Sequence, residues 1–298
     1  MKSISLVAPA KINLFLEVLA KRPDGYHEIE TVMQTVTLFD RLMFKENKKT
    51  GRTAGISVDT DHPDLPANRS NLAYQAAALF KKTYHIKQGV EIFIHKQIPI
   101  GAGLGGGSSD AATTLLGLNK LWKLGLSKPE LSDLAQKLGS DIPFFIYQNT
   151  ALVKGRGEII FPIQLKRKFH YVIAWPGIFC PTEKIYRNFN LPLTKQLSNV
   201  NIFNNALIKG DSAQLGEQLF NRLDRTAFRL YPELNQFYRY FKNKCRNSLL
   251  SGSGSSIFGL VNSEKEAAKL TKELRSEQPP PGAGQSGWLI FKATNYLL

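Results

Sequence analysis

The chain has 298 residues, of which 43% are hydrophobic and 21% charged, and its formal net charge is +15 at pH 7. This composition is typical of a soluble globular protein of about two domains, and the lack of an apolar run of about 18 residues excludes a membrane span. Two cysteines far apart in sequence exclude a disulfide scaffold and a zinc spacing, and they favour a cytoplasmic location. The basic residues form no long tract, so we expect no nucleic-acid partner.

The chain opens with two predicted strands. Residues 4–19 form an apolar run that alternates from residue 11 onward, which places Lys11 and Asn13 on the same face. A turn at Pro23-Asp24-Gly25 then predicts that the chain reverses and returns as a second strand. From this pattern alone, Lys11 is either a surface lysine on an edge strand or a functional cation.

A polar segment follows, and then a helix and a strand. Residues 45–70 are polar, with a short strand predicted at 55–58. Ser70 is a candidate cap for a helix that continues to about residue 85. Residues 90–100 alternate in the manner of a strand.

A glycine-rich stretch, "PIGAGLGGGSSDAA" at residues 99–112, lies between that strand and a helix predicted over 108–122. Another helix is predicted to follow, closed by Gly139. Strand, glycines and helix are the order of a phosphate cradle. The first turn of a helix leaves backbone N–H groups unpaired, and glycine has no Cβ to keep a phosphate away.

Three kinds of cradle are distinguished by their spacing. A Walker loop is excluded because no lysine follows Gly106 or Gly107. Gly101, Gly103 and Gly106 match the dinucleotide pattern, but the nearest acidic residue at the required distance, Glu130, lies in a predicted helix. A Gly-Ser loop that binds phosphate without lysine is therefore favoured, with a flexible linker as the alternative.

Beyond about residue 150 the predicted elements are shorter, and they complete an α+β fold of two mixed domains. We predict strands at 170–177, 248–261 and 288–293, the second interrupted by glycines, and helices at 203–229, 232–245 and 263–275. Residues 276–287 are a predicted Pro/Gly loop.

Three stretches resemble the motifs of the galactokinase, homoserine kinase, mevalonate kinase and phosphomevalonate kinase superfamily. They are "PAKINLFLEVLAKRPDGYHEIET" at the start, the glycine-rich stretch, and "SGSGSSIF" near the end. The Asp-Gly-Tyr-His turn of the first is similar to one branch, the 4-diphosphocytidyl-2-C-methyl-D-erythritol kinases. The resemblance implies two mixed α/β domains, an N-terminal nucleotide-binding domain and a ferredoxin-like C-terminal domain, with the active site in the cleft between them.

The resemblance also implies how the chain is divided. Residues 1–155 would form the ATP-binding domain and residues 156–287 the substrate-side domain. The last strand, near 288–293, is a candidate to return to the first domain.

Two catalytic residues follow from the resemblance. Lys11 would lie beside the transferred phosphoryl group, and Asp141, in "GSDIPFF", would accept the proton of the substrate hydroxyl. Without the resemblance, Asp141 is equally consistent with a helix N-cap or a turn residue.

The remaining candidate residues are implied to bind the two substrates. Those for the nucleotide are Asn71, Lys96, Pro99, Ile100, Gly101, Ala102, Gly103, Leu104, Gly105, Gly106, Gly107, Ser108 and Ser109. Those for the acceptor are Asn13, Tyr26, His27, Gly252, Ser253 and Gly254. We expect no metal fixed by the protein alone; Mg²⁺ arrives with ATP, with Ser108 or Ser109 as a candidate ligand.

Each of these assignments has a structural alternative. Asn71 is also consistent with a residue at the start of a helix, and Lys96 with a surface residue. Tyr26 and His27 suit an exposed hairpin, and Gly252 to Gly254 suit a bulge or a tight turn.

The resemblance therefore implies an ATP-dependent kinase that phosphorylates the 2-hydroxyl of 4-(cytidine 5'-diphospho)-2-C-methyl-D-erythritol, in the non-mevalonate route to isoprenoid precursors. Its partners would be ATP and this cytidine-diphosphate-linked alcohol, with no nucleic acid and no membrane, and it would act as a monomer or weak dimer. One alternative is another small-molecule kinase of the superfamily, such as homoserine or mevalonate kinase. The other is a basic nucleic-acid-binding protein.

Overall fold

The computed structural model describes residues 2–47, 55–165, 167–190, 199–278, 280, 282–284 and 287–296. Contacts between Cα atoms divide the chain into two compact units. The first contains Met1–Ala10, Leu38–Ile100 and Gly105–Gln148, and the second contains Lys11–Thr37, Gly101–Leu104 and Asn149–Leu298. This division does not follow a single cut near residue 155, because residues 11–37 make their contacts with segments that come much later in the chain.

Two long strands, β1 (Ser3–Lys21) and β2 (His27–Asn47), contribute residues to both units. They confirm the two strands predicted at the start of the chain. In the second unit, β1 pairs with β8 (Phe220–Asn221) in parallel, and β1 lies between β2 and β8 in the sheet. The alternative of an edge strand with a surface lysine is therefore wrong: Lys11 is 5% exposed.

In the described part of the first unit, strand pairs combine with four helices. β3 (Ile56–Thr60) runs parallel to β4 (Gly89–His95), and β4 is antiparallel to the last residues of β2. The helices are α1 (Leu72–Thr83), α2 (Gly106–Trp122), α3 (Lys128–Gln136) and α4 (Ile142–Tyr147). α1 packs against β3 and α2, and α4 packs against α2 and α3.

Three details of the first unit differ from the sequence prediction. The cap of α1 is Asn71, not Ser70, because the Asn71 side chain accepts a hydrogen bond from the backbone N–H of Ala73. Strand β4 ends at His95, five residues before the predicted end. Helix α4 follows Asp141 and was not predicted. Of the predicted polar loop 45–70, residues 48–54 lie outside the described residues, and β3 confirms its predicted strand.

The second unit contains a hairpin, which pairs with the part of β2 in the same unit, and a second sheet. β5 (Thr150–Gly155) pairs with β2, and β6 (Ile159–Ile163) pairs with β5; neither was predicted. The second sheet has the order β11-β7-β10-β9 and is antiparallel throughout, with β7 (His170–Trp175), β9 (Ser248–Leu250), β10 (Ile257–Val261) and β11 (Leu289–Thr294). In chain order this is 4-1-3-2, the ferredoxin-like arrangement that was predicted.

The last strand pairs with the second sheet. All six residues of β11 pair with β7, which places the strand predicted near 288–293 in the second sheet. Its end also contacts β2, because the Thr294 N–H donates to Thr37 Oγ1 and Asn295 forms an isolated bridge with Val36. Its return to the domain of residues 1–155 stays a prediction. In the Pro/Gly loop before it, residues 279, 281, 285 and 286 lie outside the described residues.

The long helix predicted over 203–229 is wrong. The structure has α6 (Val200–Lys209), α7 (Ser212–Glu217), the short strand β8 and α8 (Asp224–Leu230) in its place. Gly210 ends α6 in the left-handed conformation, and the Asp211 carboxylate caps α7 by accepting from the N–H groups of Ala213 and Gln214.

The other helices of the second unit are α5 (Thr182–Arg187), which was not predicted, α9 (Pro232–Lys244) and α10 (Glu264–Ser276). Their apolar faces join the second sheet in one core, which includes Val172, Phe237, Phe241, Ile257 and Leu274. Within the part of the chain that the structure describes, none of the helices is both long and apolar enough to cross a bilayer.

Candidate active site

Lys11 is buried and oriented by a chain of hydrogen bonds in the second unit. Its Nζ donates to Asn13 Oδ1 at 2.6 Å, Asn13 Nδ2 donates to Thr31 Oγ1 at 2.9 Å, and Thr31 Oγ1 donates to the Phe15 carbonyl at 2.6 Å. All three side chains are at least 95% buried. The last acceptor in this series of hydrogen bonds is a backbone carbonyl of β1. The strand itself therefore fixes the position of the Lys11 ammonium.

The glycine-rich stretch lies against both Lys11 and the loop between β9 and β10. The Lys11 N–H donates to the Leu104 carbonyl at 2.9 Å, and the Ser256 N–H donates to the Ala102 carbonyl at 3.0 Å. Ser251 Oγ donates to the Gly103 carbonyl at 3.0 Å. These bonds bring residues 101–104, Lys11 and the 251–256 loop together in one unit.

Gly103 is required by this packing. Its φ is +74°, and a Cβ there would lie 2.3 Å from the Ser251 carbonyl oxygen and 2.8 Å from that of Gly254. At Gly103 the protein backbone therefore occupies the space that was expected to be left for a phosphate. Gly101 has a similar neighbour: the exposed ring of Phe179 lies where its Cβ would be.

Gly252, Ser253 and Gly254 form a tight turn, not a bulge. The Ser251 N–H donates to the Ser256 carbonyl and the Gly254 N–H donates to the Ser251 carbonyl. A Cβ at Gly252 would lie 3.1 Å from Asn13 Oδ1 and 3.2 Å from Lys11 Nζ. The turn therefore comes within contact distance of the buried ammonium.

In the first unit, the start of α2 covers a buried lysine. Lys96 Nζ donates to Asp40 at 2.5 Å and to Asp110 at 2.8 Å, and these three side chains are at most 2% exposed. A Cβ at Gly106 would lie 2.9 Å from Lys96 Nζ. Lys96 is thus a buried ion-pair residue and not the surface residue of the alternative interpretation.

This cluster places two carboxyl groups around one ammonium. Burial raises the pKa of the Asp110 carboxyl to about 7, Lys96 opposes the rise, and Asp40 adds to it. Burial lowers the pKa of the Lys96 ammonium, but Asp110 and Asp40 outweigh burial and the net shift is upward. Lys96 therefore stays charged, and Asp110 takes up the proton that balances the cluster near neutral pH.

The first turn of α2 carries the two serines that are candidate magnesium ligands. Pro99 is buried and Ile100 half-buried, while Gly105 and Gly107 flank the N1 residue of the helix. Ser109 is fully buried, and within the described residues its Oγ has no hydrogen-bond partner; Ser108 is half-buried. Of the two candidate serines, Ser108 is thus the one with surface open to a ligand.

Asn71 and Asp141 both stand at helix starts in the first unit. Asn71 caps α1, and its Nδ2 donates to the Pro66 carbonyl at 2.8 Å, so both ends of its amide hold the protein. Asp141 occupies the N-cap position of α4 and is half-buried. However, among the described residues of that helix, none donates a capping hydrogen bond to the Asp141 side chain. The capping explanation therefore accounts for Asn71 and not for Asp141.

In the second unit, His27 packs against two aromatic rings and Tyr26 against a guanidinium. The His27 ring lies 5.2 Å from Tyr186 and 6.0 Å from Phe189, and the Arg156 guanidinium lies 5.1 Å from the centre of the Tyr26 ring. Burial and nearby Lys21 lower the pKa of His27, so its imidazole is neutral at pH 7. Tyr26 remains half-exposed, with one ring face towards a cation.

Sequence reasoning missed several partners of these residues. Asp40 and Thr31 lie in the middle of a strand, where nothing in the alternation distinguishes them. Tyr186 and Arg156 come from a helix and a hairpin that were not predicted. The sequence did show polar residues within predicted apolar strands. Such residues indicate that buried hydrogen-bond partners exist, but not which residues they are.

Comparison with known proteins agrees with the fold and the motifs. GHMP kinases N terminal domain matches residues 71–149, and GHMP kinases C terminal matches residues 203–279. Proteins named 4-diphosphocytidyl-2-C-methyl-D-erythritol kinase from Shouchella clausii and Geobacillus kaustophilus are each 42% identical over 91% of this chain and over 90% and 93% of their own lengths.

Solved structures give the same result. A crystal structure of 4-(cytidine 5'-diphospho)-2C-methyl-D-erythritol kinase superposes with a TM-score of 0.80 at 34% identity, over 98% of this chain and 100% of that chain. Homoserine kinase from Cytophaga hutchinsonii has a TM-score of 0.75 at 20% identity, over 99% and 95%, and shares the fold. The chain belongs to the 4-diphosphocytidyl-2-C-methyl-D-erythritol kinase family of the GHMP kinases.

Proposed function

We propose that this protein, a small-molecule kinase that uses ATP, transfers the γ-phosphoryl group to the 2-hydroxyl of 4-(cytidine 5'-diphospho)-2-C-methyl-D-erythritol. The observation that carries the proposal is the buried Lys11, whose ammonium is held by Asn13 and whose N–H is bonded to the glycine-rich stretch. A fixed cation beside a glycine-rich loop is suited to countering the charge of a phosphoryl group in transfer.

The proposed chemistry is a single displacement. The 2-hydroxyl oxygen of the acceptor attacks the γ-phosphorus, its proton goes to the Asp141 carboxylate, and the bond to the β-phosphate breaks to release ADP. Lys11 offsets negative charge on the moving group, and Asn13 orients Lys11 and the acceptor. Because the transition state of phosphoryl transfer is loose, orientation and charge contribute more than the basicity of Asp141.

The nucleotide is proposed to lie on residues 99–109. Asn71 and Lys96 are proposed to lie near its base and ribose without binding them through their side chains, because both side chains are bonded to the protein. Mg²⁺ would enter with ATP, held mainly by phosphate oxygens and by Ser108. When bound, it would neutralise charge on the phosphates. We further propose that the enzyme works in the cytoplasm, as a monomer or weak dimer. The division into an ATP-binding region at 1–155 and an acceptor-side region at 156–287 remains a prediction.

The acceptor's cytosine is proposed to bind Tyr26 and His27, with the Gly252–Ser253–Gly254 turn nearer the sugar alcohol. A neutral His27 can donate and accept one hydrogen bond each, which suits a pyrimidine edge. The relatives from Shouchella clausii and Geobacillus kaustophilus, at 42% identity, have this name, whereas the homoserine kinase likeness at 20% identity shows the fold alone. The cytidylated acceptor is therefore favoured over homoserine or mevalonate.

The test is an ADP-release assay on a panel of alcohols that includes the cytidylated acceptor, homoserine and mevalonate. We expect turnover with the first alone. Cytidine monophosphate should compete with the acceptor and uridine monophosphate much less, because a site built for an exocyclic amine leaves unpaired groups beside uracil. His27→Ala should raise the KM for the acceptor more than the KM for ATP. Equal inhibition by both monophosphates would contradict the assignment of the base site.

A further inference from the structure

Asn221 stands out in a segment where the sequence offered no functional signal. It is 5% exposed, and its carboxamide makes three hydrogen bonds within the second unit. Nδ2 donates to the Leu250 carbonyl at 2.9 Å and to the Gly252 carbonyl at 2.7 Å, while Oδ1 accepts from the Leu223 N–H at 2.9 Å. Both amide hydrogens are thus given to the two ends of one short piece of backbone.

Asn221 is itself held firmly on β1, the strand that carries Lys11. It pairs with Leu16 in the parallel β1–β8 ladder. The next residue, Arg222, donates its N–H to the Leu16 carbonyl and two guanidinium hydrogen bonds of 2.6 Å to the buried Glu17 carboxylate. Because the backbone of Asn221 is fixed to β1, its side chain holds the carbonyls of Leu250 and Gly252 at a fixed distance from that strand.

What its side chain holds is the glycine turn. The Gly252 carbonyl belongs to the residue whose Cβ position lies 3.2 Å from Lys11 Nζ, and Ser251 is bonded to the Gly103 carbonyl. A shift of the turn would therefore change the surroundings of the Lys11 ammonium and of the glycine-rich stretch together. Glycines add little stiffness to the turn, so hydrogen bonds from side chains such as Asn221 contribute to fixing its position.

We propose that Asn221 is a positioning residue for phosphoryl transfer, which braces the 250–252 backbone and so sets the turn against Lys11 and Gly103. The inference rests on the proposed function only in assigning the chemistry to this site. A misplacement of about 1 Å near reacting groups can cost about 10²-fold in rate. Loss of the brace should therefore lower kcat while the rest of the fold persists.

The experiment compares Asn221→Asp and Asn221→Ala with the same changes at Asn295. Asn295 is a matched control because it is 2% exposed, in the same unit, and also bonds backbone through both ends of its amide, to the Arg167 carbonyl and the Phe169 N–H. Aspartate keeps the size but removes the two donors, and alanine adds no buried charge. The two substitutions change the site in different ways. Making both allows the comparison with Asn295 to be carried out if one Asn221 variant does not fold.

The first readout is kcat with whichever alcohol the parent enzyme phosphorylates, so an error in the proposed acceptor does not affect the test. We expect each Asn221 variant to lose at least tenfold more kcat than the matching Asn295 variant. Lys11→Ala combined with Asn221→Ala should lose less than the product of the single losses. Equal losses at Asn221 and Asn295 would overturn the proposal.

The second readout is amide hydrogen exchange, which needs no activity. The N–H groups of Ser251, Gly254 and Ser256 should exchange at least tenfold faster in the Asn221 variants and be unchanged in the Asn295 variants. Unchanged exchange in this turn would show that Asn221 does not brace it, whatever the kinetics. A parent enzyme that phosphorylates none of the alcohols would overturn the proposed function. The hydrogen-exchange comparison could still be interpreted, because it does not depend on activity.

Discussion

At the residue scale, the two proposed catalytic residues differ in how the structure treats them. The Lys11 ammonium is fixed by Asn13 and Thr31, so its position does not depend on a substrate. Asp141 stands at a helix start, where its side chain makes no capping hydrogen bond. General-base phosphoryl transfer needs a cation held in place and a carboxylate that can accept a proton, the roles proposed for Lys11 and Asp141.

Asp141→Asn should lower kcat by about 10²-fold or more with little change in ATP affinity, because the amide keeps the shape and cannot take the proton. Lys11→Ala should lose a similar amount, and the double variant should be little worse than either one, since residues that act together are not additive. Single-turnover transfer at saturating substrate measures all three. An active Asp141→Asn enzyme would mean that the base lies elsewhere, and multiplying losses would mean that the two residues act separately.

Asp110 makes a prediction about pH. Its pKa in the folded protein is raised to about 7, so between about pH 4 and pH 7 the folded state holds a proton that the unfolded state has released. Its contribution to the free energy of unfolding is present at low pH and falls as the pH rises through this window, by at most about 1.4 kcal/mol per pH unit.

Asp110→Asn removes this titration. Urea unfolding at pH 5 and pH 7.5 should therefore show the stability of the parent relative to the variant decreasing as the pH rises. Asp133→Asn, on the exposed side of α3, is the control and should follow the parent at both pH values. A stability difference between the parent and the Asp110→Asn variant that does not change with pH would contradict a proton on Asp110.

At the element scale, most strands and helices could be predicted, and the exceptions have physical causes. Alternation identified β1, because its period is visible along the strand from residue 11 onward. Strand β8 has two residues and exists only because it pairs with β1, so no local pattern could show it. The break after α6 did have a signal, Gly210 followed by the capping Asp211, that a helix prediction over 203–229 passed over.

The candidate site shows the same limit. The glycine-rich stretch, Lys11 and Asp141 could be singled out from motifs in the sequence. The packing of Gly103 against the 251–256 loop and the bonds of Asn221 join segments that are far apart in the chain. Such contacts depend on the tertiary fold, and a single sequence without periodic or motif signals does not specify them.

Two neighbouring glycines at the start of α2 give an element-scale prediction. A Cβ at Gly106 would lie 2.9 Å from Lys96 Nζ and 3.0 Å from Ile98, and Lys96 is held in place by two carboxyl groups. A Cβ at Gly107 would lie 3.5 Å from Leu72, an ordinary contact. Gly106→Ala should cost about 1–3 kcal/mol through crowding, and Gly107→Ala should be neutral or stabilise by about 0.5–1 kcal/mol.

Urea unfolding midpoints and calorimetric ATP binding measure both effects. We expect Gly106→Ala to unfold earlier and bind ATP more weakly, with Gly107→Ala as its matched control. Identical midpoints for the two variants would show that the Lys96 cluster yields to the extra methyl group.

At the scale of the whole molecule, an ion pair in the second unit joins Glu17 and Arg222, which lie 205 positions apart in the chain. Glu17 is 1% exposed, and Arg222 reaches it with two hydrogen bonds. Arg222→Ala removes the guanidinium from a buried carboxylate, which should cost about 3 kcal/mol. Arg187→Ala, which breaks an exposed pair with Glu183 on α5, is the control and should leave the urea midpoint unchanged. Similar midpoints for the two variants would mean that Glu17 tolerates burial without Arg222.

The distance along the chain between β1 and β8 also determines when the protein can finish folding. Residues 11–21 leave the ribosome early, but their partner at residue 220 is synthesised about two hundred residues later. Until then the apolar side chains of the strand belong to a nascent chain that cannot complete its sheet. Native pairing of such high contact order is slow, and a chain truncated before residue 220 lacks the partner that β1 has in β8.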